Sequence, residues 1–373
     1  MIYFDNAATT MPSKTAIKKA EIFNEENFFN PSTLYSGGLN CAKEIKTARE
    51  NLLKNIGATN HELIFTSCGS ESDNMAIFCS VKRGLFVTDK GEHSAVYKSF
   101  LELKNRGLKI EFIDLNPDGT VNVDALFSFI KQNKTDFVSI VHVNNETGGV
   151  NDVNYIGKKI KEINAKTIFH VDGVQAYGKL PYKIGKEIDL YSISAHKING
   201  LKGVGALIKK KGVNVSPLIF GGGQEGNLRS GTENVFGIKV FEYAADEKYA
   251  QLNDSYEKAK EIKAYIKEHL NNSLFTVISG ENSSPYIITI SAVGLRGEVV
   301  MHTLEREGII IGNGSACSSK NRFSRVIEAC GYKNDVLDGV IRISFSTAST
   351  LDEAKEFTKK LNECIEKLKG ILS

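Results

Sequence analysis

The 373-residue sequence contains no CxxC pair, and its six cysteines, at positions 41, 68, 79, 317, 330 and 364, follow no regular spacing. That excludes a zinc cluster or a disulfide framework as the organising principle and leaves reduced thiols in a cytosol as the simpler expectation. No stretch approaches ~18 consecutive apolar residues, as a membrane span would require. The opening residues, MIYFDNAATTMPSK, include Asp5 and lack an apolar run of signal length, so neither secretion nor membrane insertion is expected and the assigned compartment is cytoplasmic. Charge of one sign is equally scarce. Forty-seven basic side chains against 44 acidic ones give a formal charge of +3, too small over this length to imply a nucleic-acid or membrane surface on its own. Internal repeats and low-complexity tracts are missing as well, and KKK at 209–211 reads as a solvated turn.

What is present is an ordinary globular composition, 41% hydrophobic and 24% charged, in a chain long enough for two or three domains. From about 60 to 210, short apolar runs alternate with amphipathic stretches. ELIFTS (62–67), LFVT (85–88), KIEFID (109–114), DFVSIVHV (136–143), TIFHVD (167–172), DLYSIS (189–194) and VGALIK (204–209) read as strands, with helix-length segments at 70–83, 94–106 and 153–164. This alternation predicts an α/β fold with right-handed crossovers and a mainly parallel sheet between helices. In such sheets, ligands collect beyond the carboxyl ends of the strands.

A long helical pattern follows at 232–270. FTVIS (275–279), YIITIS (286–291) and GVIRISFS (339–346) then alternate in period two, which suits a half-covered sheet, with helices at about 297–308 and 351–369. A domain boundary is placed within the long helix, near residue 255.

Several strand ends carry reactive residues. Lys197, in SISAHKINGLKGVG (192–205), follows a buried strand and is flanked by Ser194, His196 and glycines. An apolar, cation-rich setting lowers an amine's pKa and frees its lone pair for a carbonyl such as that of pyridoxal phosphate; a solvated loop lysine is the plainer alternative. Asp172 could hold a pyridine nitrogen protonated, with Gln175 donating to the ring's phenolic oxygen, or it could simply cap a helix. FTSCGSESDN (65–74) passes from strand to helix through small residues and offers free N–H groups to a phosphate, although Ser70 and Asp73 also fit a capping box. His93 stands where a stacking ring or proton shuttle would, with a solvated or helix-entry histidine the plainer alternative. Cys317, in SACSS (315–319), lies between small hydroxyl residues with Lys320 and Arg322 nearby, a setting that favours thiolate.

FDNAATT (4–10), NPSTLYSGG (30–38), FTSCGSESDN (65–74), EHSAV (92–96), HVNNETG (142–148), HVDGVQAYGKLP (170–181), SAHK (194–197), GGGQEGNLRSGTEN (221–234), SACSS (315–319) and IRISFS (341–346) together resemble the cysteine desulfurases. These are class V, fold-type I pyridoxal phosphate enzymes, and the resemblance runs through essentially the whole chain. It implies a large domain, 15–255, with a mainly parallel seven-stranded sheet. A smaller α/β domain, 1–14 with 256–373, would have an antiparallel sheet and carry the Cys317 loop. It also implies roles for individual residues. Lys197 would carry pyridoxal phosphate as an imine, His93 would stack on its ring and move protons, and Asp172 would pair with the pyridine nitrogen. Gln175 and Asn145 would contact the phenolic oxygen or the substrate. Gly69, Ser70, Ser194 and His196 would hold the phosphate, with Thr232 reaching the cofactor of a second subunit. Arg342 would clamp the substrate carboxylate, and Cys317 would accept sulfur from L-cysteine as a persulfide.

A homodimer is implied, as is a sulfur-acceptor protein such as an iron–sulfur scaffold. Selenocysteine lyase, another class V reaction, or a catalytically quiet scaffold protein are the alternatives. The chain departs from the family pattern at Tyr35, usually histidine, and Phe29, often glycine. The segment after Cys317 lacks a customary glycine or proline and is about one residue short.

Overall fold

The computed structural model describes residues 1–271, 273–314 and 323–372. In chain order the elements begin with β1 (Ile2–Phe4), α1 (Lys14–Glu26), α2 (Ser36–Asn55), β2 (His61–Thr66), α3 (Gly69–Ser80), β3 (Leu85–Asp89), α4 (Ser94–Asn105) and β4 (Lys109–Ile113). They continue with α5 (Val123–Gln132), β5 (Phe137–Val141), α6 (Val153–Ile163), β6 (Ile168–Asp172), β7 (Leu190–Ser194), β8 (Gly205–Lys210), α7 (Gln224–Asn227) and α8 (Val235–Ala250). The remainder are α9 (Leu252–His269), β9 (Thr276–Val277), β10 (Ile287–Ser291), α10 (Gly297–Glu305), β11 (Ile309–Asn313), α11 (Arg325–Ala329), α12 (Asn334–Leu337), β12 (Val340–Ser344) and α13 (Leu351–Leu372). No described helix is long and apolar enough to cross a membrane.

All seven strands expected between 60 and 210 form one sheet, in the order β2-β8-β7-β6-β5-β3-β4. Pairing is parallel from β7 to β4, while β8 runs antiparallel to both β7 and β2. Its near-continuous apolar strands follow from burial on both faces. In β2, Leu63 and Phe65 join one core with Val138, Phe169, Val171 and Ile208, whereas Ile64 joins a second core with Met75, Phe86, Phe100 and Leu207. Successive side chains alternate across a strand, so a single run feeds both cores. Lys209 and Lys210 correct the reading of a solvated turn. Both belong to β8, and Lys209 is buried, with its ammonium paired to Glu62 and donating to the Val213 carbonyl. An aliphatic stem lets a lysine lie within a sheet while its charge finds partners.

The pattern expected as one helix over 232–270 is two, broken at Gln251, whose φ of −120° and ψ of 19° leave helical geometry. Residue 255 therefore lies inside α9. FTVIS shortens to Thr276–Val277 because Ile278 and Ser279 both donate to the Thr289 carbonyl, a bulge that ends regular pairing.

The second sheet has the order β1-β11-β12-β10-β9 and is mixed rather than wholly antiparallel, because β1 pairs parallel with β11. One face carries Ile288, Ile290, Ile311, Ile341 and Ile343 against α9 and α13. The other face, expected to be solvated, is covered. Ala7 N–H donates to Ser344 Oγ, Thr289 Oγ1 donates to the Glu146 carbonyl, and Ser291 Oγ donates to the Val336 carbonyl. Its polar side chains thus satisfy docked loops instead of water.

Phe4 joins the N-terminus to this second core, edge-on to Phe345 at 5.1 Å and near Phe357 at 5.4 Å, with no exposed surface. Phe4→Ala is expected to cost about 3–5 kcal/mol, the usual range for a buried phenylalanine. Denaturant unfolding monitored by circular dichroism measures it, and a loss below 1 kcal/mol would contradict this packing role.

Candidate active site

Asp172 is the last residue of β6, between Val141 of β5 and Ser192 of β7, at the carboxyl end of the parallel strands. Its carboxylate is buried and Oδ1 accepts from Val174 N–H at 3.0 Å. Burial raises its pKa, and the positive fields of His93 and Lys197 oppose that rise.

His93 caps α4, its Nδ1 accepting from Ala95 N–H at 3.2 Å, which leaves Nε2 for the site. Solvent reaches the ring, yet the ring sits deep among protein atoms. That desolvation lowers its pKa against the pull of Asp172, and the charges of Lys197 and Arg325 lower it further.

Beyond β7 the chain turns through a 3-10 segment, Ala195–Lys197, held by Ala195 N–H on the Val204 carbonyl at 3.1 Å. Lys197 Nζ donates to the carbonyls of Ala7 and Ala8, the latter at 2.9 Å. Gln175 Nε2 also donates to the Ala7 carbonyl, at 2.8 Å, while its Oε1 accepts from Lys179 Nζ at 2.8 Å. Both ends of the Gln175 amide are thus engaged within the protein. The N-terminal AAT segment forms a wall of the site, reinforced by Thr10 Oγ1 donating to the His196 carbonyl.

At the amino end of α3, Gly69 is buried beside Ser194, and a Cβ there would lie 2.8 Å from Val174 Cγ2. Ser194 Oγ is buried without a hydrogen-bond partner. Ser70 is exposed in the first turn, so the capping box does not form. The helix begins one residue earlier, and Glu71 instead accepts from Ser67 N–H at 2.8 Å. An orphaned hydroxyl, a side-chain-free backbone and a helix N-terminus make a cup suited to an anion.

His196 Nδ1 is bonded to Thr9 Oγ1 at 3.1 Å, and its pKa falls to about 4 through burial and then the charges of Lys197, Lys179 and Lys202. Thr232 is exposed, bordering a cavity of about 200 Å3 with Phe65, Ser67, Gly203 and Arg229. Arg342, on β12, donates to the Asn145 carbonyl and to Asp5 Oδ1, both at 2.8 Å, and its buried Nε has no acceptor. The second sheet thus delivers a guanidinium to the loop after β5. Cys317 lies outside the described residues. Cys41, Cys79, Cys330 and Cys364 are buried, and burial raises the Cys330 thiol to about 12.

Phe29, one departure from the family pattern, packs on Gly37, where a Cβ would come within 2.5 Å of its ring. It also stacks on Phe28 and meets Tyr35 edge-on.

The sequence reading missed Lys179, Arg325, Glu92 and the role of Asp73. Lys179 stands four residues after Gln175, a spacing that could have exposed it. Arg325 reaches the carbonyls of Lys90 and Glu92 and lies over the Tyr97 ring at 3.8 Å, a contact across more than 200 residues with no local signal.

This chain matches the family Aminotransferase class-V over residues 2–357. It belongs to that family. It is 35% identical to the cysteine desulfurase IscS of Dictyoglomus turgidum over 99% of this chain and 96% of that protein. Identity to the putative cysteine desulfurase IscS 1 of Bacillus subtilis is 34%, over 98% and 99% of the two chains. Among solved structures, a NifS-like protein superposes with a TM-score of 0.91 at 31% identity, covering 98% of this chain and 99% of that one. The fold of this class V aminotransferase family member is thus that of the NifS-like proteins.

His142, one residue beyond β5, is buried beneath the site with Nδ1 bonded to Tyr191 Oη at 2.9 Å, and desolvation lowers its pKa to about 3. The unfolded imidazole titrates near 6.5, so at lower pH the unfolded chain binds a proton that the fold refuses. Stability from neutral His142 is present above about pH 6.5 and lost as pH falls towards about 3, at up to ~1.4 kcal/mol per pH unit. In His142→Gln the acid limb of a stability–pH curve should be shallower by one proton. An unchanged slope would show that His142 is already charged in the fold.

Proposed function

We propose that this chain is a pyridoxal-phosphate-dependent L-cysteine desulfurase that releases L-alanine and keeps the sulfur on Cys317 for transfer to an acceptor protein. The observation that carries this reading is the convergence of Asp172, His93, Lys197 and the orphaned Ser194 hydroxyl at one end of the parallel sheet. Supporting it, full-length relatives bear the name cysteine desulfurase, and a solved relative at 28% identity, SspA, is in complex with cysteine.

The residues fit pyridoxal phosphate. Gly69 and Ser70 would offer backbone N–H groups to the phosphate, Ser194 Oγ would gain the partner it lacks, and His196 would border the cup. Asp172 would hold the pyridine nitrogen protonated, His93 would cover the ring, and Gln175 and Asn145 would line its phenolic side. When bound, the cofactor supplies an electron sink for charge developing at the substrate's α-carbon.

The rest belongs to the chain's own groups. Arg342, through its unpaired Nε, binds the cysteine carboxylate. Lys197 Nζ receives the α-proton and later returns it, the Ala7 and Ala8 carbonyls fixing the amine in place. His93 Nε2, neutral because its pKa is depressed, accepts the substrate thiol's proton. Cys317 thiolate attacks the substrate sulfur, forming an S–S bond as the C–S electron pair withdraws to carbon, and stores the sulfur as persulfide. The same reading assigns the cofactor to a unit of residues 15–255 and the Cys317 loop to one of 1–14 with 256–373. A homodimer follows, exposed Thr232 completing the second copy's phosphate site.

Borohydride reduction followed by peptide mapping should label Lys197. Lys197→Ala should lose on the order of 10^3-fold or more in turnover, and label on another lysine would overturn the assignment.

Cys317→Ser should retain cofactor colour and bind cysteine while sulfide release and persulfide fall to background. Non-reducing mass spectrometry after labelled cysteine reads the outcome. Undiminished desulfuration, or label on Cys68 or Cys330, would place the acceptor elsewhere. Retained selenocysteine turnover without cysteine turnover would favour a lyase.

A further inference from the structure

Helix α3 turns Asp73 inward, towards the ends of β6 and β7. Asp73 is 1% exposed and Asp172 4%. One ligand atom from each carboxyl and one His93 ring nitrogen all lie within 4.8 Å of one another. Asp73 Oδ1 has no hydrogen-bond partner.

Apart from the His93 imidazole, which Asp73 and Asp172 share, the groups facing Asp73 supply no compensating charge. On β6, His170 Nε2 stands 3.6 Å away. Its two nitrogens are committed to the hydroxyls of Ser139 and Ser192, and burial lowers its pKa to about 3, so it is neutral. On β7 the Ser192 hydroxyl offers only a dipole. Cys68, before α3, and Glu92, before α4, bring no positive charge, and Glu92 is itself pushed towards its neutral form by burial and by the neighbouring acids. Among the described residues, His170 is the only basic side chain within 4 Å of Asp73. Asp172, by contrast, has the Val174 N–H and Lys197 to favour its charge.

Two carboxylates this close and this deeply buried cannot both ionise at ordinary cost; pairs so placed titrate as a unit and share a proton. We propose that Asp73 is a positioning residue that shares one proton with Asp172, so that the two carboxyls present a single negative charge to the cofactor site. The proton resides on Asp73, because the Val174 N–H and the Lys197 ammonium favour charge on Asp172, whereas Asp73 has only the Ser192 hydroxyl on its side. Protonated Asp73 then donates to the Asp172 carboxylate, orients it, and weakens it as a base. Given the function proposed above, this tunes how firmly the pyridine nitrogen's proton is held. The sharing itself requires only the two carboxyls.

The test is infrared spectroscopy of the full chain labelled with 13C at the aspartate carboxyl, with the cofactor bound and after its removal. It is run at about pH 8.5, so that Asp89, with a pKa raised to about 7, is ionised and does not contribute. Wild type should show one isotope-shifted carboxylic-acid C=O band, with and without cofactor, and Asp73→Asn should lack it. A second measurement separates positioning from mere packing. The apparent pKa of the loaded protein's visible absorption should stay within about half a unit in Asp73→Asn, which retains an N–H donor. It should rise by about one unit or more in Asp73→Ala, which removes the donor. The two shifts are compared with each other. No aspartic-acid band in wild type, a band that survives in Asp73→Asn, or equal shifts in the two variants would overturn the proposal. A wild type that never binds the cofactor would count against the functional reading alone, because the infrared band decides proton sharing without it.

Discussion

Desolvation of the Asp172 carboxylate at the end of β6 conditions much of what surrounds it. A charge buried there must be repaid by oriented donors and by cations held at fixed positions. Val174 N–H supplies the first, and the field of Lys197 supplies the second. Lys197 in turn needs acceptors, which it finds in the Ala7 and Ala8 carbonyls. The N-terminal segment is therefore a structural part of a site built mainly from residues far along the chain. The same carbonyl of Ala7 anchors Gln175, and Gln175 satisfies the buried ammonium of Lys179.

This compensation also accounts for how the two sheets meet. The second sheet turns an apolar face to its own helices and a polar face to the loops that leave the first. Arg342 sits on that polar face, between Asp5 of the N-terminal segment and the Asn145 carbonyl beyond β5. The guanidinium is held at two of its groups, and its buried Nε lacks an acceptor. The period-two pattern of β10 and β12 thus records a polar face that contacts docked loops.

Much of the local architecture was legible in the chain. The seven apolar runs became seven strands because alternating side chains feed two cores, a pattern that local sequence carries directly. Where the reading failed, tertiary context had overridden a local signal. Lys209 looks solvated in KKK but lies in β8, where Glu62 on the neighbouring strand supplies its partner. The break at Gln251 has no glycine or proline to announce it. Ser70 and Asp73 look like a capping box, yet the helix starts at Gly69 and the carboxyl expected at the surface is buried near Asp172.

The sequence alone determined the residue types and their order: strand-ending Asp172 and Lys197, small residues before α3, His93 before α4, and the motifs that mark the family. These are local facts, fixed by periodicity, capping chemistry and spacing. Only the tertiary structure decided which groups oppose one another in space. Arg325 approaches His93, the Ala7 carbonyl meets both Lys197 and Gln175, and Asp73 lies beside both Asp172 and His93. The reason is physical. Protonation state and charge placement depend on distance and burial, quantities set by contacts between segments that may be hundreds of residues apart, and no window of sequence contains them.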